Sequence, residues 1–471
     1  MTTYFGCLPR NVPVLLVTLL SLLPYSLSFA DTAAINKQIA QLDENFRQLS
    51  SAYYQSTGNT HVNKAHIIND IDQLYNEVRR LADDRHAIKA IQLIFNNANT
   101  IRDNADNEAI FSFTTLLLDA NEWNMARTLL DEVSYTGDEY LIATMKFIFA
   151  KYFAARNDWQ NVIEFLDGAF LDLSGEDAAY AHLLNGVALQ NLRKHRLSIE
   201  HLNKVPPSSK YYSHARLNIA IANIKQGWWT DAHDTINSAI EHRQMDNSDE
   251  LINRLYLVLG YSMLQQEYYR DARNTFRQIG LNSRYTNRAL LGIALAATSL
   301  KDYPGGLNAL SILNDKQPPD LSVDESTLLI PFIYEKLQQQ LKASDGYTEA
   351  LSYFRKRIDK LSRIPDQPVD FFSTRFSDGT SSLIVQDTEL DYYKHYPVSF
   401  INNYRALIVF RDKSNNIAFR LKVDALISRY DDVFQQIIKN LIDERVKHLQ
   451  SYLSQSRYGI ARLYDSSGDG G

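Results

Sequence analysis

Large apolar, small and polar positions recur with a fixed order along the middle of the chain. An aromatic residue, or His195 in one case, precedes a small residue by three positions in Trp123/Ala126, Trp159/Val162, His195/Ser198, Trp229/Ala232, Tyr269/Ala272, Tyr303/Gly306 and Tyr347/Ala350. Successive members of the series lie 36, 36, 34, 40, 34 and 44 residues apart. Four positions after the small residue stands a large apolar one: Leu130, Leu166, Leu202, Ile236, Phe276, Leu310 and Phe354. Twelve positions before it, most units carry a second small residue: Ala150, Gly186, Ala220, Gly260 and Ala294. The pattern predicts antiparallel helix pairs. Small residues at matching heights let two helix axes approach, the aromatic fills the space beside the turn, and the large apolar residue closes the core. One such pair cannot bury both its faces, so stacking into a solenoid is expected.

The flanks differ in texture. Residues 31–106 show helical apolar spacing in Ile35–Leu49 and Ile67–Leu81 without the repeat signature, as expected of an N-terminal helical region that caps the array. Ile364–Pro397 holds three prolines and the turn Ser377-Asp378-Gly379-Thr380, so residues 361–399 read as a linker or short hairpin. From Phe400 to Tyr464 there is no proline, and Val423, Leu426, Tyr430, Val433, Ile437 and Leu441 follow one another at spacings of three or four. That predicts long, coiled-coil-like helices over residues 400–464, followed by a disordered tail at 465–471. They would pack on the solenoid or on a partner.

The repeat resembles the tetratricopeptide (TPR) family, above all in Ala220–Ala239, with Gly227-Trp228-Trp229-Thr230-Asp231-Ala232, and in Gly260–Ile279, with Tyr268-Tyr269-Arg270-Asp271-Ala272. The likeness covers about residues 107–357; the unit around His195 is degenerate, and the last has Gln338 and Arg357 where small or apolar residues are expected. The resemblance implies an all-α fold, a right-handed superhelical solenoid over residues 107–360. It also implies that the first helix of each pair lines a concave surface where partners bind.

Carried onto matching positions, that surface includes Thr144, Tyr180, His214, Arg254 and Arg288, each six residues before the first-helix small residue. One residue after it come Lys151, Val187, Ile221, Tyr261 and Leu295, and three before it Phe147, Leu183, Leu217, Leu257 and Leu291. Offsets of three and four set these on one helical stripe. Asn253-Arg254 and Asn287-Arg288 repeat at a spacing of 34, and Lys225 and Gln265 lie further along the same face. Arg254, Arg288, Tyr261, Lys225, Tyr180, His214 and Gln265 are therefore the candidate groove residues. Two guanidiniums over a Leu and Tyr floor would suit a peptide with carboxylates and an apolar anchor. The alternative is that both arginines cap neighbouring carbonyls or pair with local acids. Leu257 and Tyr261 replace polar positions of the carboxylate clamp in chaperone-binding members, so a C-terminal-peptide ligand is not implied.

The N-terminus changes the picture of where this surface works. Arg10 is the only charge in residues 1–30, Val14–Leu23 is apolar, and Ser28-Phe29-Ala30 supplies small residues before Asp31. This is the layout of a signal peptide cleaved near Ala30, and the run is shorter than the ~20 apolar residues of a membrane anchor. Inner-membrane anchoring by an uncleaved segment is the alternative. The single cysteine, Cys7, would leave with the leader, so the mature chain would have no disulfide and no thiolate site. With no Asn-x-Ser/Thr sequon either, the periplasm is the expected compartment.

Composition and motifs narrow the function. The net charge of −6 is spread over mixed charges with no evident basic tract, so nucleic acid is not an expected partner. No phosphate-cradling glycine loop, His-Glu-x-x-His helix or Gly-x-Ser-x-Gly elbow occurs. His195 stands in the aromatic packing slot rather than among metal ligands, and acid pairs such as Asp431-Asp432 point about 100° apart on a helix. No enzyme activity, cofactor or metal is expected. The sequence reads as a periplasmic scaffold holding partner polypeptides in an envelope process; the runner-up is a glycan-binding or cell-wall adaptor using exposed aromatics such as Trp228.

Overall fold

The computed structural model describes residues 29–60, 67–83, 87–241, 249–366, 369, 375–376, 382–385, 388–391 and 398–468. The expected leader lies outside them, save for Phe29 and Ala30, which open the first helix. Four helices come first: α1 (Phe29–Thr60), α2 (Ile71–Asp83), α3 (Ala87–Asn96) and α4 (Ala98–Asp103). Seven helical hairpins follow: α5 (Ala109–Asp119) with α6 (Trp123–Thr136), α7 (Glu139–Ala154) with α8 (Trp159–Leu166), α9 (Gly175–Asn191) with α10 (His195–Leu202), and α11 (Tyr212–Gln226) with α12 (Trp229–Glu241). The rest are α13 (Asp249–Gln265) with α14 (Tyr269–Phe276), α15 (Thr286–Ser299) with α16 (Tyr303–Asn314), and α17 (Leu321–Lys336) with α18 (Gln340–Ser362). A small sheet and two helices, α19 (Val398–Lys413) and α20 (Ile417–Gly468), complete the chain. The fold is all-α in class, a TPR-like helical solenoid.

Two compact units divide it. The N-terminal unit spans Asn36–Asp246 with Tyr396–Phe434; the C-terminal unit spans Asn247–His395 with Gln435–Gly471 and takes in the residues up to Ile35. The first four hairpins belong to the former and the last three to the latter.

Every hairpin turns in the same way. Trp123, Trp159, His195, Trp229, Tyr269 and Tyr303 are each the first residue of a second helix. Two residues upstream the backbone enters the left-handed region, at Asn121, Asn157, Arg193, Gly227, Glu267, Lys301 and Gln338, with φ between 57° and 77°. The next N–H then reaches back five residues: Glu122 to the Leu117 carbonyl, Lys194 to Leu189, Tyr268 to Met263, Gln339 to Tyr334, and likewise in the other three, at 2.7–3.0 Å. These bonds satisfy carbonyls that a helix end leaves unpaired. Only Gly227 among the seven adopts the conformation freely; the others accept roughly 1–2 kcal/mol of steric cost.

This turn corrects the register of the last hairpin. Gln338 takes the turn position, so α18 begins at Gln340, 37 residues after Tyr303. Its small residue is Ala343 and its large one Tyr347, both buried, rather than Ala350 and Phe354. The expected register was displaced by seven residues. Two helical turns nearly restore the same face, so the apolar pattern survives the displacement.

The packing logic is visible at the glycines. A Cβ on Gly186 would come within 2.5 Å of Leu202, and one on Gly260 within 2.6 Å of the Phe276 ring. Gly292, on α15, meets the same Phe276 ring even more closely. Phe276 is thus held between the first helix of its own hairpin and that of the next. Ala126, Val162, Ala232 and Ala272 are fully buried at the equivalent second-helix positions.

In the C-terminal unit, the later part of α20 takes the place of the first helix of an eighth hairpin. A Cβ on Gly459 would lie 2.5 Å from the Tyr347 ring, reproducing the Gly292–Phe276 approach. Tyr452 packs on Phe354 at 5.7 Å. Arg445 pairs with Asp324 at 2.6 Å, the Tyr452 hydroxyl lies 3.4 Å from Glu325, and Arg462 pairs with Glu335 at 2.5 Å, so α20 runs parallel to α17. Asp324 is fully buried and also receives the Tyr353 hydroxyl at 2.5 Å and the Arg357 guanidinium at 3.5 Å. Arg357, out of place in an apolar pattern, thereby links α17 to the sheet by donating to Thr388 Oγ1 at 3.0 Å. Removing one member of such a buried set strands the others as uncompensated charges, at about 3–5 kcal/mol. The outward side of this segment, Ser451, Ser454, Arg457 and Ala461, is exposed, as a terminal cap requires.

The sheet occupies the stretch read as a linker or short hairpin. β1 (Arg375–Phe376), β2 (Ser382–Val385) and β3 (Thr388–Asp391) are antiparallel in the order β1-β2-β3, with Leu383 opposite Leu390. The helix reaching Gly468 replaces most of the tail expected to be disordered from residue 465; residues 469–471 lie outside the described ones.

In the N-terminal unit, α19 and the start of α20 pack on α1. Tyr53 stacks on Phe410 at 4.4 Å and meets Phe419 at 5.6 Å. Asp43 accepts from Asn403 Nδ2 at 2.8 Å and pairs with Arg156 at 3.5 Å. The helices after residue 400 therefore have intramolecular partners in both units.

The double approach on Phe276 can be tested directly. In an unobstructed helix, glycine to alanine stabilises by about 1 kcal/mol. Gly292→Ala should instead destabilise by ~1–3 kcal/mol, the cost of overpacking, and lower the melting temperature. Phe276→Leu in the same chain should recover part of the loss. A Gly292→Ala protein that melts higher than wild type would contradict the packing described.

Candidate partner-binding surface

The first helices carry the candidate residues, and their neighbours decide which of them are accessible. Arg254, on α13, is exposed, as are His214 and Lys225 on α11 and Gln265 at the end of α13. Tyr180 on α9 and Arg288 on α15 are partly buried. Tyr261 is not a surface residue: it is 8 % exposed, packs edge-on against Phe276 at 4.8 Å, and donates its hydroxyl to the Arg288 carbonyl at 2.8 Å. Burial pushes its phenol well above the usual range, with Glu325 raising it further, Arg288 lowering it and Asp320 raising it. The hydroxyl is committed to joining two hairpins.

The expected apolar floor is also core. Phe147, Leu183, Leu217, Leu257 and Leu291 are all buried. Leu183 sits in a cluster with Ala179, Leu202, Val205, Ala215 and Ile219; Leu257 sits in one with Tyr261, Leu264 and Phe276. The accessible line on each first helix is narrower. It runs through Lys210, His214, Ile221 and Lys225 on the fourth hairpin and its approach, and through Glu250, Arg254 and Gln265 on the fifth. These positions are four, seven and four residues apart in the first series and four and eleven in the second, within about 60° around the helix axis in each.

The repeated Asn-Arg pairs have divided roles. Asn253 Oδ1 accepts from the Gly280 N–H at 3.2 Å, and Asn287 Nδ2 donates to Asp320 Oδ2 at 3.1 Å, so each asparagine fastens its hairpin to the next. The following arginine then emerges from a fixed helix. Arg254 and Arg288 differ, however, since Arg288 shares its surroundings with Tyr261, Glu325 and Asp320. A symmetrical pair of free guanidiniums is not what the fold presents.

The N-terminal unit places aromatic rather than guanidinium groups on this face. The Tyr180 ring stacks on Tyr211 at 4.7 Å and meets Phe147 edge-on at 5.8 Å. The Lys151 ammonium lies 4.6 Å from the Phe147 ring centre. Burial lowers the Lys151 ammonium pKa, against the raising influence of Asp177 and Asp119. Sequence spacing places Tyr180 on this face but does not identify its ring partner Tyr211, which precedes the first turn of α11.

Two other polar groups are structural. His182 and His201 bring their Nδ1 atoms within 3.3 Å beneath Phe170, whose ring stacks on His182 at 4.6 Å. Burial, then His201 and Lys204, pull the His182 imidazole down to about 4. Glu122, 2 % exposed, accepts from Ser50 Oγ at 2.8 Å and so ties α1 to the first hairpin turn. Burial pushes its carboxyl up to about 7, against the lowering hydrogen bonds of Ser50 and Ser51. Among the described residues, no group of three or more His, Cys, Asp or Glu is placed to hold a metal ion, and no helix is long and apolar enough to cross a membrane.

No protein-family model matches the chain, and no curated protein matches it. Among solved structures it is similar to apo RapI, at 11 % identity and TM-score 0.46, covering 79 % of this chain and 99 % of that one. It is also similar to YrrB, described as a TPR protein with an unusual peptide-binding site, at 13 % identity and TM-score 0.33, covering 45 % and 97 %. A third is a Rap protein complexed with competence and sporulation factor, at 12 % identity and TM-score 0.31, covering 79 % and 99 %. The residue assignments above rest on this chain's own geometry.

The buried Glu122 predicts a pH signature. Its folded pKa of about 7 lies above the value of an exposed Glu, so the folded state keeps a proton that the unfolded state has lost. This contribution is fully present below about pH 4.5 and lost as pH rises through about 7. Glu122→Gln keeps the acceptor for Ser50 and abolishes the titration. Relative to wild type, it should gain up to ~3 kcal/mol of stability between pH 4.5 and pH 8. Parallel stability curves for the two proteins across that range would refute the assignment.

Proposed function

We propose that this chain is a protein–protein interaction scaffold that holds a partner polypeptide along the exposed line of its first helices. The observation that supports it most is the division of labour within each hairpin. The repeat residues and the −3 apolar positions are consumed by packing, whereas Tyr180, His214 and Lys225 in the N-terminal unit, and Arg254 and Gln265 in the C-terminal unit, reach the surface. Within each unit, solvent-facing side chains presented by packed helices suit an extended or helical peptide, whose own repeat can match them. The exposed cations at Lys225 and Arg254 favour a ligand bearing carboxylates. Partner binding by the surface of α20 is less favoured, because that helix already has intramolecular contacts through Asp324, Glu335 and Tyr347.

We further propose that the work is done in the periplasm, in assembly, secretion or surface-structure biogenesis. The support is the charged, apolar and small-residue order of residues 1–30 and the lack of any cysteine after Cys7.

One capture experiment addresses both. The full chain carrying a C-terminal tag is expressed in its bacterial host and recovered from the periplasmic fraction after mild cross-linking. The recovered bait should begin at Asp31 and carry specific polypeptides; Arg254→Glu should reduce their yield more than tenfold, the loss of one charge-assisted contact plus repulsion, with unchanged melting. A bait that retains Met1 in washed membranes would overturn the compartment, and equal capture by Arg254→Glu and His214→Glu would overturn the surface.

A further inference from the structure

A second surface lies at the hairpin turns of the N-terminal unit, away from the first-helix line. The turn joining α9 to α10 reads Arg193-Lys194-His195-Arg196-Leu197, and Arg193, Lys194, Arg196 and Leu197 are all exposed. The sequence reading of a chain without a basic tract is corrected here: the run is short, but all three of its cations reach the surface. The Arg196 guanidinium lies 5.9 Å from the ring centre of Trp228, the one exposed tryptophan, at 38 % exposure. Three cations on one turn and an indole on the next thus stand together on a chain of net charge −6. The nearest exposed carboxylates along the chain are Glu200 and Asp231.

The backbone under the patch is fixed. Arg193 takes the left-handed position, with φ of 61°, and Lys194 N–H bonds to the Leu189 carbonyl at 2.8 Å. Trp228 N–H bonds to the Asn223 carbonyl at 2.9 Å in the neighbouring turn. The cations therefore project from rigid turns on flexible stems, beside a flat aromatic surface.

We propose that Arg193, Lys194, Arg196 and Trp228 form a binding site for an acidic polysaccharide, with uronate carboxylates on the cations and a sugar-ring face on the indole. The chemistry discriminates among anions. An acidic polypeptide would satisfy the cations but has no use for a single flat indole without an apolar cleft, and an anionic bilayer would call for several exposed apolar side chains rather than Trp228 and Leu197 alone. A polyuronate carries a carboxylate and an apolar C–H ring face in every residue, and needs both kinds of group at once.

The test uses the full chain and titrates it with polygalacturonate, with poly-glutamate of matched charge and with neutral dextran, at low and at physiological salt. Polygalacturonate should bind at least tenfold more tightly than poly-glutamate, and dextran should not bind. Arg193→Glu with Arg196→Glu should abolish binding, while Trp228→Ala should bring polygalacturonate down to the affinity of poly-glutamate. Circular dichroism and melting of the variants should match wild type, since the side chains concerned are exposed. Equal affinity for the two polyanions, or an unchanged preference in Trp228→Ala, would overturn the proposal and leave a surface that attracts any polyanion. The polypeptide capture described above uses Arg254 on a different unit, so either result can fail without the other.

Discussion

The closest approach between helices sets everything else in this fold. Where Phe276 lies between Gly260 and Gly292, there is no room for a single methyl group on either side. Such an approach brings one ring against two helix backbones and fixes how far each hairpin can rotate about its neighbour. The left-handed turn residue sets the height at which this happens, because it determines where the second helix starts. Turn and contact together give each first helix its orientation, and the accessible line on that helix is what remains once both are satisfied. Asn253 and Asn287 hold the spacing from the other side by bonding to the following hairpin.

Much of this was legible in the sequence because packing leaves few residue choices. Alanine or glycine at one height and a large apolar residue four positions on could be read at Ala232/Ile236 and Ala272/Phe276, where the structure shows both members buried. The turn was less visible. Six of its seven left-handed residues are not glycine, so the conformation is imposed by the bond it closes rather than announced by residue type. That is why Gln338 was taken for a misfit core residue and the last hairpin was displaced by two helical turns. The role of α20 was hidden for another reason: Gly459 is 112 residues beyond Tyr347, and no local pattern can report a contact at that distance.

The surface was legible in angle but not in depth. Helical spacing grouped Leu257, Tyr261 and Arg254 correctly on one side of α13, yet a stripe about 60° wide still divides into a covered edge and an open one. The adjacent first helix covers Leu257 and Tyr261 and leaves Arg254 in solvent. The same limit applies to charge. Arg254 and Arg288 are alike in sequence and differ in setting, since Glu325 and Asp320 stand near the second. Net charge, finally, averaged away the short basic run at Arg193–Arg196, and only folding brings Trp228 of the next hairpin beside Arg196.

The central claim is that the open line of the first helices, and not the second helices or α20, contacts partner polypeptides. Site-specific photo-crosslinking tests it most directly. A photoreactive side chain would be placed at Tyr180, His214 or Arg254 on the first helices, at the exposed Asp234 or Asn274 on the second helices, and at the exposed Arg457 on α20. On irradiation in the native host, the first-helix positions should give discrete adducts of the same size, and the others should give none. Adducts arising only from Asp234, Asn274 or Arg457 would contradict the account and make the first-helix face a solvated surface.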